Sequence, residues 1–182
     1  MKIPFESMVP SEICLQCDIC CRFPEADSVM APVFTRDEVS RITLSGAGPE
    51  FLFSGGSSGR IRLMPFPKEV ESPGHQEGCI CPAFDPLSHR CKIYPLRPLD
   101  CRLYPFLIMK SEEGDEPVLG IDTQCPYVRD PKNSDRIESC SRDLLERLGT
   151  DSYQKILGNC PELAVPFQKE ARIIGPIRIR TR

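Results

Sequence analysis

Between Cys14 and Cys21 the chain reads CLQCDICC, four cysteines in eight residues with two adjacent. Thiolates spaced C-x-x-C turn toward one centre, because two intervening residues form a tight loop that also aims backbone N–H groups at the sulfurs. A second group lies in CICPAFDPLSHRCKIYPLRPLDCRLYPF, with Cys79, Cys81, Cys91 and Cys101, and Cys125 follows in TQCPY. Cys14, Cys17 and Cys20 reproduce the C-x2-C-x2-C run by which ferredoxin loops hold three irons of a 4Fe-4S cluster. That run favours iron. Where the bacterial pattern has its fourth cysteine this chain has Pro24, which argues against the ferredoxin fold itself. Thiolate tetrads also suit zinc, so ligand type alone leaves iron-sulfur and zinc both open.

The adjacent pair adds a constraint. In an extended segment neighbouring side chains face opposite ways, so Cys20 and Cys21 are expected to serve different centres unless a helical turn brings them together. Cys14, Cys17, Cys20, Cys21, Cys81, Cys91, Cys101 and Cys125 make eight thiols, enough for two tetrads, and spacing does not assign ligands to centres. A disulfide framework is the rival reading. It fits poorly with an odd total of 11 cysteines, and with the expected cytoplasmic location, where thiols stay reduced.

The joint pattern resembles the YkgJ-type cysteine cluster proteins, a zinc- or iron-chelating family. The resemblance rests on CLQCDICC, on TRDE opening a helix, and on the cysteine-proline, Cys-x-Ile-Tyr and Arg-Pro-x-x-Cys-Arg elements of CPAFDPLSHRCKIYPLRPLDCRLYPF; it spans about Cys14 to Cys125. It implies a cysteine-ligated metal domain, sometimes labelled an iron-sulfur oxidoreductase, and flagellin lysine methylases carry a similar cluster. The ligands it implies are Cys14, Cys17, Cys20, Cys21, Cys81, Cys91, Cys101 and Cys125. Cys79, Cys140 and Cys160 fall outside its pattern.

Other side chains are candidates for supporting roles. Arg97 precedes Cys101 by four residues, a spacing that puts both on one helical face, and an arginine there offsets the negative charge of a thiolate tetrad. Arg102 is a second candidate, with a solvent salt bridge as the plain alternative for either. Tyr94 and Tyr104 are read as packing. His89, two residues before Cys91, is a weaker zinc candidate than the thiols. Cys140 lies on the apolar stripe of an expected helix, where a free cysteine behaves as a small hydrophobe. No Walker loop, GxGxxG, HExxH or G-x-S-x-G is found, so those chemistries lose their usual support. Enzymatic activity is left undecided.

The elements that must position these residues are short. With 182 residues, 19 prolines and no tryptophan, a loop-rich single domain spanning 1–182 is expected, its metal-binding region at 14–125 and a helical extension and tail at 130–182. Thr35 and Glu38 predict a capping box opening a helix over Arg36 to Leu44, with Phe34 stapled onto Val39. Residues 46–60 read as loops around a short strand, and prolines and glycines discourage regular structure before Cys79. YPFLIMK and PVLGIDTQ read as a hairpin. Pro98 starts a short helix at PLDCRLY. Asp135 and Glu138 open an amphipathic helix that Gly149 stops, a second runs from Ser152 to Leu157 and ends at Gly158, and ARIIGP reads as a strand. The expected fold class is α+β, with short helices and a hairpin organised around cysteine-ligated metal. A net charge of −3 gives no sign of a nucleic-acid partner, and no window approaches the roughly 20 apolar residues of a membrane span. An unidentified protein or redox partner is expected.

Overall fold

The computed structural model describes residues 7–45, 58–67, 78–114 and 116–178. The chain falls into two compact units, Pro10–Cys101 and Arg102–Arg182 with Met1–Val9. The fold is α+β, with short helices and small antiparallel sheets.

In the first unit no strand exceeds three residues among those described. Helix α1 (Ser11–Cys14) and a 3-10 turn (Ile19–Cys21) lead into strand β1 (Arg22–Phe23). Strand β2 (Val33–Thr35) runs into helix α2 (Arg36–Leu44), then come β3 (Ser58–Arg60), β4 (Met64–Pro65), β5 (Cys79–Ile80), β6 (Phe84–Asp85) and β7 (Arg90–Cys91). A 3-10 turn (Tyr94–Leu96) precedes helix α3 (Leu99–Leu103), inside which the division between units falls. The strands pair antiparallel as β1-β5-β4, β2-β3 and β6-β7.

The reason for α2 is the predicted one. Thr35 accepts the backbone N–H of Glu38, and the Glu38 carboxylate accepts the N–H of Thr35 at 3.0 Å, so two otherwise unpaired amides are satisfied reciprocally. Phe34 is buried and Val39 packs on the same cluster of Phe23, Ile42, Ile61, Leu63, Phe84 and Ile93, as the staple requires. Before Cys79, where prolines and glycines discourage regular structure, the described residues form only the two-residue β4, and Gly78 has φ of +106°, where a Cβ would meet the Phe23 carbonyl oxygen at 2.6 Å. Only glycine lets the chain turn into β5 against β1. The apolar triplet of 46–60 and the segment 68–77, with His75, lie outside the described residues; 58–60 forms β3.

The second unit has longer elements. Strands β8 (Phe106–Lys110) and β9 (Pro117–Asp122) form the expected hairpin, and β10 (Ala171–Pro176) adds to β9. Helix α4 (Pro126–Arg129) leads through a 3-10 turn to α5 (Ser134–Leu148) and α6 (Asp151–Asn159). Helix α5 packs against β10 and α6. Met109, Leu119, Ile121, Leu144 and Leu148 are fully enclosed.

Three local expectations need correction. Helix α5 starts one residue before Asp135, after Asn133, with no side-chain cap, because the preceding 3-10 turn already delivers the chain in helical geometry. Its buried face is Ile137, Ser141, Leu144 and Leu148, which leaves Cys140 half-buried at the flank. Ser141 is tolerated inside because its hydroxyl donates to the Ile137 carbonyl at 2.7 Å. Gly158 does not end α6, which runs on to Asn159. No helix among the described residues is long and apolar enough to cross a membrane.

Candidate metal centre

Seven of the eight candidate thiols belong to the first unit, and strand register gathers the first of them. Arg22 pairs with Ile80, and the Cys81 N–H donates to the Cys21 carbonyl at 2.9 Å, which sets Cys21 beside Cys81. The 3-10 turn at Ile19–Cys21 brings the neighbouring thiols together, and Cys20 and Cys21 hydrogen-bond to each other. The helical-turn exception therefore applies to this pair.

Cys20 is the hub. It lies near enough to Cys14, Cys17, Cys21, Cys81, Cys91 and Cys101 that a thiolate there would raise each of them. Cys14 also acts on Cys91, and Cys81 and Cys91 on Cys101. Burial raises the Cys14, Cys17, Cys91 and Cys101 thiols above their ordinary value, and like-charged neighbours add to it. Cys81 is pushed up to about 12, by burial first and then by Cys91 and Cys20. Cys21 is raised by its hydrogen bond with Cys20, then by burial. Crowded thiols disfavour collective ionisation unless a cation neutralises them.

The backbone is arranged for the opposite charge state. The N–H groups two residues on, at Ile19, Ala83 and Ile93, hydrogen-bond the sulfurs of Cys17, Cys81 and Cys91, and each favours the thiolate. This is the geometry that tight cysteine loops were expected to supply. Arg97 adds a cation, its Nη1 donating to Cys14 Sγ at 3.4 Å while the guanidinium lies 3.7 Å from the Tyr94 ring centre. Arg97 precedes α3, so helical spacing does not carry it to Cys101; it reaches Cys14 and acts on Cys91.

Tyr94 does more than the packing expected of it, because its hydroxyl is hydrogen-bonded to Cys14 and Ser11. A tyrosine three residues after a candidate ligand was the only signal for it. Tyr104 also does more than pack, donating to Asp122 at 3.0 Å. Arg102 acts on the Tyr153 hydroxyl, within the second unit, so its guanidinium has a neighbour other than the thiols. Cys125, buried at the start of α4, and the buried Cys160 and half-buried Cys140 also belong to the second unit. His89 is exposed on the β6-β7 turn, edge-on to Phe84 at 6.1 Å. Cys79 packs against the apolar cluster.

Among the described residues no three His, Cys, Asp or Glu side chains are arranged to hold a metal ion. The sulfurs share one electrostatic neighbourhood. The chemistry of the donor set nevertheless fits a thiophilic metal: seven cysteines, three with N–H donors on sulfur, one with an arginine.

No curated protein matches the chain, and no solved structure does. A family model matches residues 13–141, from the residue before Cys14 to the residue after Cys140. That span contains every thiol of the constellation, and the chain belongs to the CxxCxxCC family, described as a "Putative zinc- or iron-chelating domain".

Proposed function

We propose that the unit Pro10–Cys101 binds metal through the thiolates of Cys14, Cys17, Cys20, Cys21, Cys81, Cys91 and Cys101, as an iron-sulfur cluster in preference to zinc, in the service of electron transfer or cluster-dependent modification. The observation that carries this reading is the convergence of the other six thiols on Cys20. The C-x2-C-x2-C run supports iron. Such a cluster supplies one-electron transfer when bound.

The rest is the work of this chain's side chains. The N–H groups of Ile19, Ala83 and Ile93 hold Cys17, Cys81 and Cys91 toward the thiolate form, and Arg97 offsets charge at Cys14. Half-burial of most of these thiols limits water around the sulfurs, and hydrogen bonds and exposure are what set a cluster's potential. Anaerobic purification with iron, zinc and acid-labile sulfide analysis tests the reading. Iron with sulfide and a broad visible absorption is expected; zinc without sulfide or colour contradicts the iron-sulfur assignment and leaves a structural zinc module.

A further inference from the structure

The TRDE helix and the LDC segment are joined by crossed hydrogen bonds between residues more than 60 apart in sequence. Glu38 is 3% exposed and uses both carboxylate oxygens. Oε2 accepts the N–H and hydroxyl of Thr35, at 3.0 and 2.9 Å, and completes the cap of α2. Oε1 accepts the N–H of Leu99 at 2.8 Å, the first amide of the helix that carries Cys101. In return Asp100 Oδ2 accepts the N–H of Val33 at 2.9 Å, in the strand that enters α2. The residue before α3 is Pro98, which has no side-chain acceptor, so the carboxylate of another helix does the work of an N-cap there.

Two antiparallel bonds between the same two backbone segments fix translation and rotation together, whereas one bond would act as a hinge. Cys101 follows Asp100 directly, and its thiol is within reach of Cys81, Cys20 and Cys91. We infer that Glu38 and Asp100 are positioning residues that fix Cys101 relative to the other thiols, so that the capped helix α2 sets the geometry of the metal centre without contributing a ligand. This rests on the reading of Cys101 as a ligand. Neighbours that orient metal ligands typically cost 10- to 100-fold in affinity when removed.

The test is anaerobic titration of the reduced, metal-free full chain with cobalt(II), reading the thiolate-to-cobalt charge-transfer band, for wild type, Glu38→Ala, Asp100→Ala and Asp100→Asn. Both alanine variants are expected to bind about 10- to 100-fold more weakly with a smaller band per cobalt. Asp100→Asn keeps an acceptor for the Val33 N–H and is expected to restore the wild-type band, which loss of folding by the alanine variant would not mimic. Wild-type binding in both alanine variants overturns the proposal. Should wild type itself show no thiolate band, cobalt does not occupy the centre, the metal reading stays with the iron and sulfide analysis, and the brace is then judged by alkylation of Cys101 in the metal-free chain. Faster modification of Cys101 relative to Cys17 in Glu38→Ala supports the brace, and an unchanged ratio overturns it.

Discussion

The two units of this chain solve the same problem with different materials. Arg102–Arg182 has a three-stranded sheet with strands of up to six residues and a 15-residue helix. Among the described residues Pro10–Cys101 has strands of two or three residues, and cysteines form part of the boundary of its apolar cluster. A two-residue ladder contributes little cooperativity, and isolated small sheets are marginal in water. Beside its apolar cluster the first unit is held by side-chain cross-links such as Glu38 to Leu99, and metal at its thiols would add to them. Metal binding and folding are coupled where the site forms only in the folded chain.

Removing metal is the largest perturbation this contrast predicts. Under a chelator, amide hydrogen exchange in Pro10–Cys101 is expected to accelerate strongly, while amides of β8, β9 and α5 keep their protection. Equal loss in both units breaks the comparison. Leu144→Ala is the mirror experiment: truncating this enclosed side chain is expected to cost about 2–5 kcal/mol in the second unit and to leave metal content unchanged.

Alkaline pH separates the units more mildly. Burial pushes the Cys81 thiol up to about 12 in the metal-free chain, against an ordinary value of 9.0. The folded state then holds its proton longer than the unfolded state does, so stability falls as pH rises. That contribution is fully present below about 9 and is lost progressively as pH climbs toward 12. Denaturation of the metal-free chain followed by exchange or fluorescence should show this fall, and bound metal should suppress it because the ligating thiols are already deprotonated.

The smallest effect is expected at His89. Its φ of 54° lies in the left-handed region, so His89→Gly is expected to shift stability by less than about 1 kcal/mol and leave metal content unchanged. Loss of metal in that variant would return the imidazole to the ligand list.

What was legible in the sequence divides along the same line. Local signals were sufficient where one segment carries its own partners: Thr35 and Glu38 cap α2, and YPFLIMK and PVLGIDTQ pair across a short turn. The thiol constellation was legible because C-x-x-C spacing is a chemical signal that needs no fold. Long-range partnerships were not legible. Spacing pointed Arg97 at Cys101, yet the turn before α3 sends it to Cys14, and nothing local tells Glu38 to cap a helix 61 residues away. The adjacent cysteines leave two outcomes open in the sequence, and the 3-10 turn at Ile19–Cys21 selects the one that brings the thiols together.

The central claim is that Cys20 sits where the other thiols converge, and metal analysis of single serine variants tests it most directly. Wild type, Cys20→Ser and Cys140→Ser would be purified anaerobically and assayed for iron, zinc and acid-labile sulfide per chain. The account predicts that Cys140→Ser matches wild type while Cys20→Ser loses most of its metal. Wild-type metal content in Cys20→Ser would contradict it.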